Sequence, residues 1–115
     1  MEKIVRQTLL FDFYGELLTD HQQEIYEAVV VNDTGYSEVA AAEGISRQGV
    51  HDLVRRCDHQ LDAYEQKLHL VERFLKIRDN VRSIRTLASD LKNGSDRQDG
   101  TDQILRLTEE ILEEL

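Results

Sequence analysis

Six polar side chains within eleven residues carry the chemistry that bears most directly on function: Ser46, Arg47, Gln48, His51, Arg55 and Arg56. A guanidinium matches the paired acceptors on a guanine edge, a carboxamide matches the donor and acceptor of adenine, and either base reader works beside cations that hold phosphates. Gln48 and Arg55 thus carry groups suited to base edges, and Arg56 one suited to the backbone. The competing reading is an ordinary solvated helix surface.

Other chemistry is absent from the pattern. His21, His51, His59 and His69 have no metal-ligand spacing with one another, and Cys57 and His59 point to different faces of a helix, so no zinc site is expected. Cys57 reads instead as a small apolar packing residue. No nucleophile stands beside a base, and no glycine-rich phosphate cradle occurs. Glu109 and Glu110 are neighbours around a helix, and their place is a solvated acidic face. Neither catalysis nor a cofactor is expected.

The elements that must position the six residues follow from local rules. Residues 36–56 read as a helix-turn-helix. Val39 and the small Ala40 occupy the inner side of the first helix, Gly44 stands where a helix ends in left-handed conformation, and Ser46 caps the second helix. Val50, Leu53, Val54 and Cys57 then face inward, which leaves Arg47, Gln48, His51, Asp52, Arg55 and Arg56 outside. In DNA-binding members of this class the second helix enters the major groove.

Residues 3–14 read as an amphipathic helix ended by Gly15. The aromatic side chains of Phe11, Phe13 and Tyr14 cannot all face one core, so they either wrap their own bundle or reach a second chain. Thr19 with Gln22 has the spacing of a capping box, and Ile25, Tyr26, Val29 and Val30 form the next inner stripe, ended by Asn32-Asp33-Thr34-Gly35.

Beyond the motif, residues 47–92 contain no Pro and only Gly49. Val50, Val54, Cys57, Leu61, Tyr64 and Leu68 form one heptad-like series, and Leu70, Phe74, Ile77, Val81, Ile84, Ala88 and Leu91 form another. The two are out of phase. A straight helix over the whole span would be roughly 70 Å long, far beyond a domain whose radius of gyration is about 13 Å, so it breaks near His69 or projects into a partner. Asn93 to Gly100 reads as a polar linker. Thr101 is expected to cap a last helix with the stripe Ile104, Leu105, Thr108, Ile111, Leu112 and Leu115, docked on the Ile77–Leu91 seam of its own chain or of a neighbour. The organisation expected is a helix-turn-helix domain over 1–68, a dimerisation helix over 69–92, a linker over 93–100 and an amphipathic helix over 101–115, assembled as a homodimer.

Composition agrees with an all-α fold: 115 residues with no Pro, no Trp, 32% charged and 6% aromatic. The lone Cys57 precludes an internal disulfide, and with neither a leader nor a membrane-length apolar run a soluble, cytoplasmic protein is expected. A net charge of -9 opposes nucleic-acid binding, which draws on a basic face; only the Arg47, Arg55 and Arg56 stretch offers one.

Three blocks together carry a resemblance: Leu9-Leu10-Phe11-Asp12-Phe13-Tyr14-Gly15; Leu17-Leu18-Thr19-Asp20 with a following Gln; and Ser46-Arg47-Gln48-Gly49-Val50 with Asp52 and Arg55-Arg56. Over roughly residues 9 to 75 the chain resembles the bacterial YlxM-like proteins, which look like a sigma-factor region-four helix-turn-helix extended by further helices. The resemblance implies an accessory or regulatory role in the signal recognition particle pathway, inferred for the family mainly from its genes lying beside that of the particle's GTPase. That GTPase is accordingly a candidate partner, alongside DNA or RNA, and a helical adaptor that contacts it without touching nucleic acid is the alternative. Departures are Asn32-Asp33-Thr34-Gly35 in place of Asp-Asp-Tyr-Ser, Gly49 where Ala is usual and His51 where Tyr is common. From Lys76 onward no resemblance is found.

Overall fold

Caps and turns place the helix ends in the computed structural model, which describes residues 1–94 and 97–115. The order is α1 (Lys3–Tyr14), a 3-10 turn (Gly15–Leu17), α2 (Asp20–Tyr26), a π-helical turn (Glu27–Val31), α3 (Tyr36–Glu43), α4 (Arg47–Leu68), α5 (Leu70–Lys92) and α6 (Arg97–Glu114). No strand occurs among the described residues, so the fold is all-α. The capping box forms as its spacing requires: the Gln22 amide donates to Thr19 Oγ1 at 3.2 Å and the Thr19 amide donates to Gln22 Oε1 at 3.0 Å. The π turn is not legible from periodicity. It contains the run Val29-Val30-Val31, whose branched side chains crowd a tight helical turn, and there the Asn32 amide reaches the Glu27 carbonyl at 2.9 Å, five residues back.

Two compact units result, Met1–Val71 and Glu72–Leu115. In the first, α4 is the central strut, packed by α1, α2 and α3. Ile25, Tyr26, Val50, Cys57 and Leu61 are fully buried around it. The aromatic cluster divides: Tyr14 is buried beside Tyr64 and Phe11 stacks on Tyr26, whereas Phe13 stays 38% exposed. Most of that apolar surface therefore wraps its own bundle.

The inner seam of α4 runs through Val50, Val54, Cys57 and Leu61 and then departs from the heptad. Its next buried residue is Glu65, not Tyr64, while Leu68 is 46% exposed. At about 100° per residue Tyr64 and Glu65 stand equally far, about 50°, to either side of the mean direction of that seam, so helical spacing does not choose between them and the partner of Glu65 does. There Glu65 Oε1 accepts from the Tyr14 hydroxyl at 2.5 Å and from the Val71 amide at 3.0 Å, and the Leu70 amide donates to the Tyr14 hydroxyl at 3.1 Å. His69, left-handed at φ 56°, separates α4 from α5, so the helix breaks where the two apolar series change phase. The Tyr14–Glu65 pair satisfies the first amides of α5, a role usually taken by a neighbouring cap residue.

In the second unit, α6 starts at Arg97, four residues ahead of the cap expected at Thr101, which lies inside the helix. Gly100 is buried because α6 meets α5 there: a Cβ on Gly100 would stand 2.9 Å from Leu91 Cδ2. Of the linker expected over 93–100, residues 97–100 are thus helical, and Ser95 and Asp96 lie outside the described residues. Lys76 Nζ bonds Glu114 Oε1 at 2.7 Å and Asn80 Nδ2 donates to Glu110 Oε2 at 3.3 Å, so α6 returns antiparallel along α5 of its own chain. Its half-buried side is Ile104, Leu107, Thr108 and Ile111, leaving Leu105 and Leu112 exposed. No helix among the described residues is long and apolar enough to cross a membrane.

Candidate nucleic-acid interface

The motif is built by two local devices. Gly44 ends α3 at φ 69°, a conformation that costs a residue with a Cβ about 1–2 kcal/mol. Ser46 begins α4, its Oγ accepting from the Gly49 amide at 2.9 Å. Val39 and Ala40 of α3 are buried, which lets α4 pack closely.

The six residues singled out by sequence fare differently. Arg47, Arg55 and Arg56 are exposed and have no hydrogen-bond or ion-pair partner among the described residues. Gln48 is exposed, but its amide donates to Asp52 Oδ1 at 3.0 Å. His51 lies flat on Tyr36 of α3, with ring centroids 3.8 Å apart and 10° between planes, so its ring is held at the side of the helix. Ser46 spends an acceptor on its cap and keeps its hydroxyl hydrogen. At about 100° per residue, Arg47, His51 and Arg55 lie within roughly 80° of one another, whereas Arg56 stands about 100° beyond Arg55. Arg56 and Arg47 therefore occupy opposite flanks, an arrangement able to reach both walls of a groove.

Periodicity does not reveal what lies beside this face. A cleft of about 460 Å³ separates α4 from the start of α1, lined among others by Lys3, Arg6, Tyr36, His51, Arg55 and His59. Two acids also line it. Asp62 is paired with Arg6 at 3.0 Å, and Asp58 accepts from the Tyr26 hydroxyl at 2.6 Å and from Gln7 Nε2 at 3.0 Å. Burial, reinforced by the bond to Asp58, pushes the Tyr26 hydroxyl pKa up, and burial raises the Cys57 thiol to about 11. Cys57 is thus an inert core group, and no group of three metal-binding side chains occurs among the described residues.

The acidity of the chain is unevenly spread. Gln7 through Ser46 contain neither Lys nor Arg, and every Lys or Arg of residues 1–71 except Lys67 lies at the start of α1 or in the first ten residues of α4. Lys3, Arg6 and Arg55 line one cleft together with Asp58 and Asp62, so its lining has one positive charge in excess, histidines counted neutral, within a chain of net charge -9.

A left-handed glycine turn, a serine-capped second helix and a free cationic flank define a helix-turn-helix protein. Residues 1–112 match the UPF0122 family, described as helix-turn-helix proteins, YlxM / p13 like, and the chain belongs to that family. Among curated relatives, a UPF0122 protein of Symbiobacterium thermophilum is 45% identical over 84 residues, covering 70% of this chain and 78% of its own. One of Thermoanaerobacter pseudethanolicus is 38% identical over 108 residues, covering 94% of this chain and 89% of its own. The family match extends past Lys76 into α5 and α6, beyond the span in which sequence motifs alone carried the resemblance.

Proposed function

We propose that the protein is a nucleic-acid-binding accessory factor of the signal recognition particle pathway, contacting DNA or RNA through Ser46, Arg47, Gln48, His51, Arg55 and Arg56 and acting as a homodimer. The observation that carries the reading is the free state of Arg47, Arg55 and Arg56 on a capped helix-turn-helix: exposed cations without internal partners can neutralise phosphates and release counterions. Each phosphate neutralised contributes about 0.9 to the slope of log affinity against log salt on duplex DNA. Arg47→Ala with Arg55→Ala is therefore expected to lower that slope by about two and to weaken low-salt binding at least tenfold. Titrations of a mixed-sequence duplex and of the particle's RNA across salt check this; no salt-dependent binding by the unaltered protein rejects the reading.

The targeting-pathway link is carried by family resemblance. A second reading, a helical adaptor for the particle's GTPase, is favoured by the net charge of -9, and a pull-down at micromolar concentration separates the two.

The dimer is supported by the α5–α6 hairpin. No large apolar side chain described in residues 72–115 is fully buried, too little core for a unit of that size. Val81 on α5 and the pair Leu105 and Leu112, seven apart on α6, are exposed. Net charge supports a second copy as the cover: α5 is net positive, with Arg73, Arg82 and Arg85 among its cations against Glu72, Asp79 and Asp90, whereas α6 is net negative, with Asp102, Glu109 and Glu113 among its acids against Arg97 and Arg106. A two-fold pairing that sets α5 against the partner's α6 is self-complementary. Sedimentation is expected to show a dimer at tens of micromolar, converted to monomer by Val81→Asp with Leu112→Asp; monomer alone at high concentration refutes it.

A further inference from the structure

We infer that the cleft between α1 and α4 is a second contact site, for a nucleic-acid backbone phosphate, with Lys3 and Arg55 as its cations. The inference rests on the reading of α4 as the nucleic-acid-contacting helix and extends it to α1, on which no role has been placed.

Charge accounting within the cleft carries the argument. Of the cations lining it, Arg6 is engaged by Asp62 at 3.0 Å. Of the acids, Asp62 is matched by Arg6, and Asp58 accepts from Tyr26 and Gln7, at 2.6 Å and 3.0 Å. Lys3 and Arg55 remain, exposed and without a partner among the described residues. Two free cations thus face an open cleft in which Asp58, held by neutral donors only, keeps its charge, so the lining of Lys3, Arg6 and Arg55 against Asp58 and Asp62 has one positive charge in excess, enough to favour a single anion. His51 and His59 add ring nitrogens along the same wall, one turn to either side of Arg55.

Position favours a polymer backbone over a free anion. Arg55 belongs both to the outer side of α4 and to the cleft that Lys3 also lines, so a strand lying along α4 borders the cleft. The cleft is open and holds about 460 Å³, room for a phosphodiester with its flanking sugars, and no buried cage encloses it. Phosphate contacts of this kind fix the register of a protein on nucleic acid and carry no sequence information.

Lys3 gives the clean test, because it is exposed, lies outside α4 and its removal disturbs no internal bond. The probes are a mixed-sequence DNA duplex of about three turns and a hairpin RNA of similar length, with affinity measured over a salt series for whichever binds. Lys3→Ala is expected to weaken binding about three- to tenfold at low salt, equally for unrelated sequences, and to reduce the salt slope by about one, with Lys3→Arg restoring both. If Arg47→Ala weakens binding while Lys3→Ala leaves affinity and slope unchanged, the cleft assignment is overturned and the reading of α4 stands. If the unaltered protein binds neither probe, that reading fails and takes the cleft with it. Saturable calorimetric binding of inorganic phosphate below millimolar concentration, lost in Lys3→Ala, would reassign the cleft to a free anion and overturn the backbone contact.

Discussion

Glu65→Ala is expected to destabilise the first unit by about 3 kcal/mol, more than an exposed acid would. Glu65 is 8% exposed, and one of its oxygens receives both the Tyr14 hydroxyl and the Val71 amide. Alanine removes the acceptor and leaves those donors inside the protein, where each unpaired group costs about 1–3 kcal/mol. It also loosens Tyr14, to whose hydroxyl the Leu70 amide donates. Glu65→Gln retains an acceptor of similar reach and should lose about half as much. Urea unfolding followed by tyrosine fluorescence measures both, since the chain has four Tyr and no Trp. An alanine variant within about 0.5 kcal/mol of the unaltered protein would show that the junction at His69 does not depend on this network.

A steep loss of stability above pH 9 is the second large effect expected. The Cys57 thiol is raised from 9.0 to about 11 by burial first, and then by Asp58. Burial also raises the hydroxyls of Tyr26 and Tyr14 above their usual 10.0, helped by Asp58 and Glu65 respectively. All three are neutral when protonated, and the fold favours that form. Below pH 9 both folded and unfolded chains hold these protons, so these groups impose no pH dependence. As pH rises past 9, the unfolded thiol ionises first and the unfolded tyrosines follow near 10, while the folded chain keeps its protons. The unfolded state then binds fewer protons and stability falls, by at most about 1.4 kcal/mol per pH unit for each group. Melting temperatures from pH 7 to 11 should be flat and then drop, with Cys57→Ala delaying the onset. A curve that stays level to pH 10.5 would contradict the burial of these groups.

Both effects sit at places where sequence reasoning reaches only half of the answer. The apolar periodicity of α4 and α5 locates the break at His69, because a phase change between two series is a property of spacing alone. It assigns Tyr64 and Leu68 to the seam, however, since a heptad template has no reason to choose an acid. Glu65 is buried because Tyr14, 51 residues away in the chain, presents a hydroxyl to it. The last helix shows the same limit: Gly100 reads as a linker residue by type and is buried because Leu91 leaves no room for a side chain.

What the sequence determined by itself is what a few adjacent residues can settle. The capping box at Thr19, the left-handed Gly44, the Ser46 cap and the inward Val50, Val54 and Cys57 depend on bonds and periodicities spanning three or four residues, and so the helix-turn-helix is legible in the order of the residues alone. Only the tertiary structure decided which cations would be neighbours. Arg6 meets Asp62 across 56 residues, and Lys3 comes to line the cleft with Arg55 because the apolar sides of α1 and α4 pack together. That packing is driven by burial, which is non-directional and leaves no local signature in the polar residues it carries along.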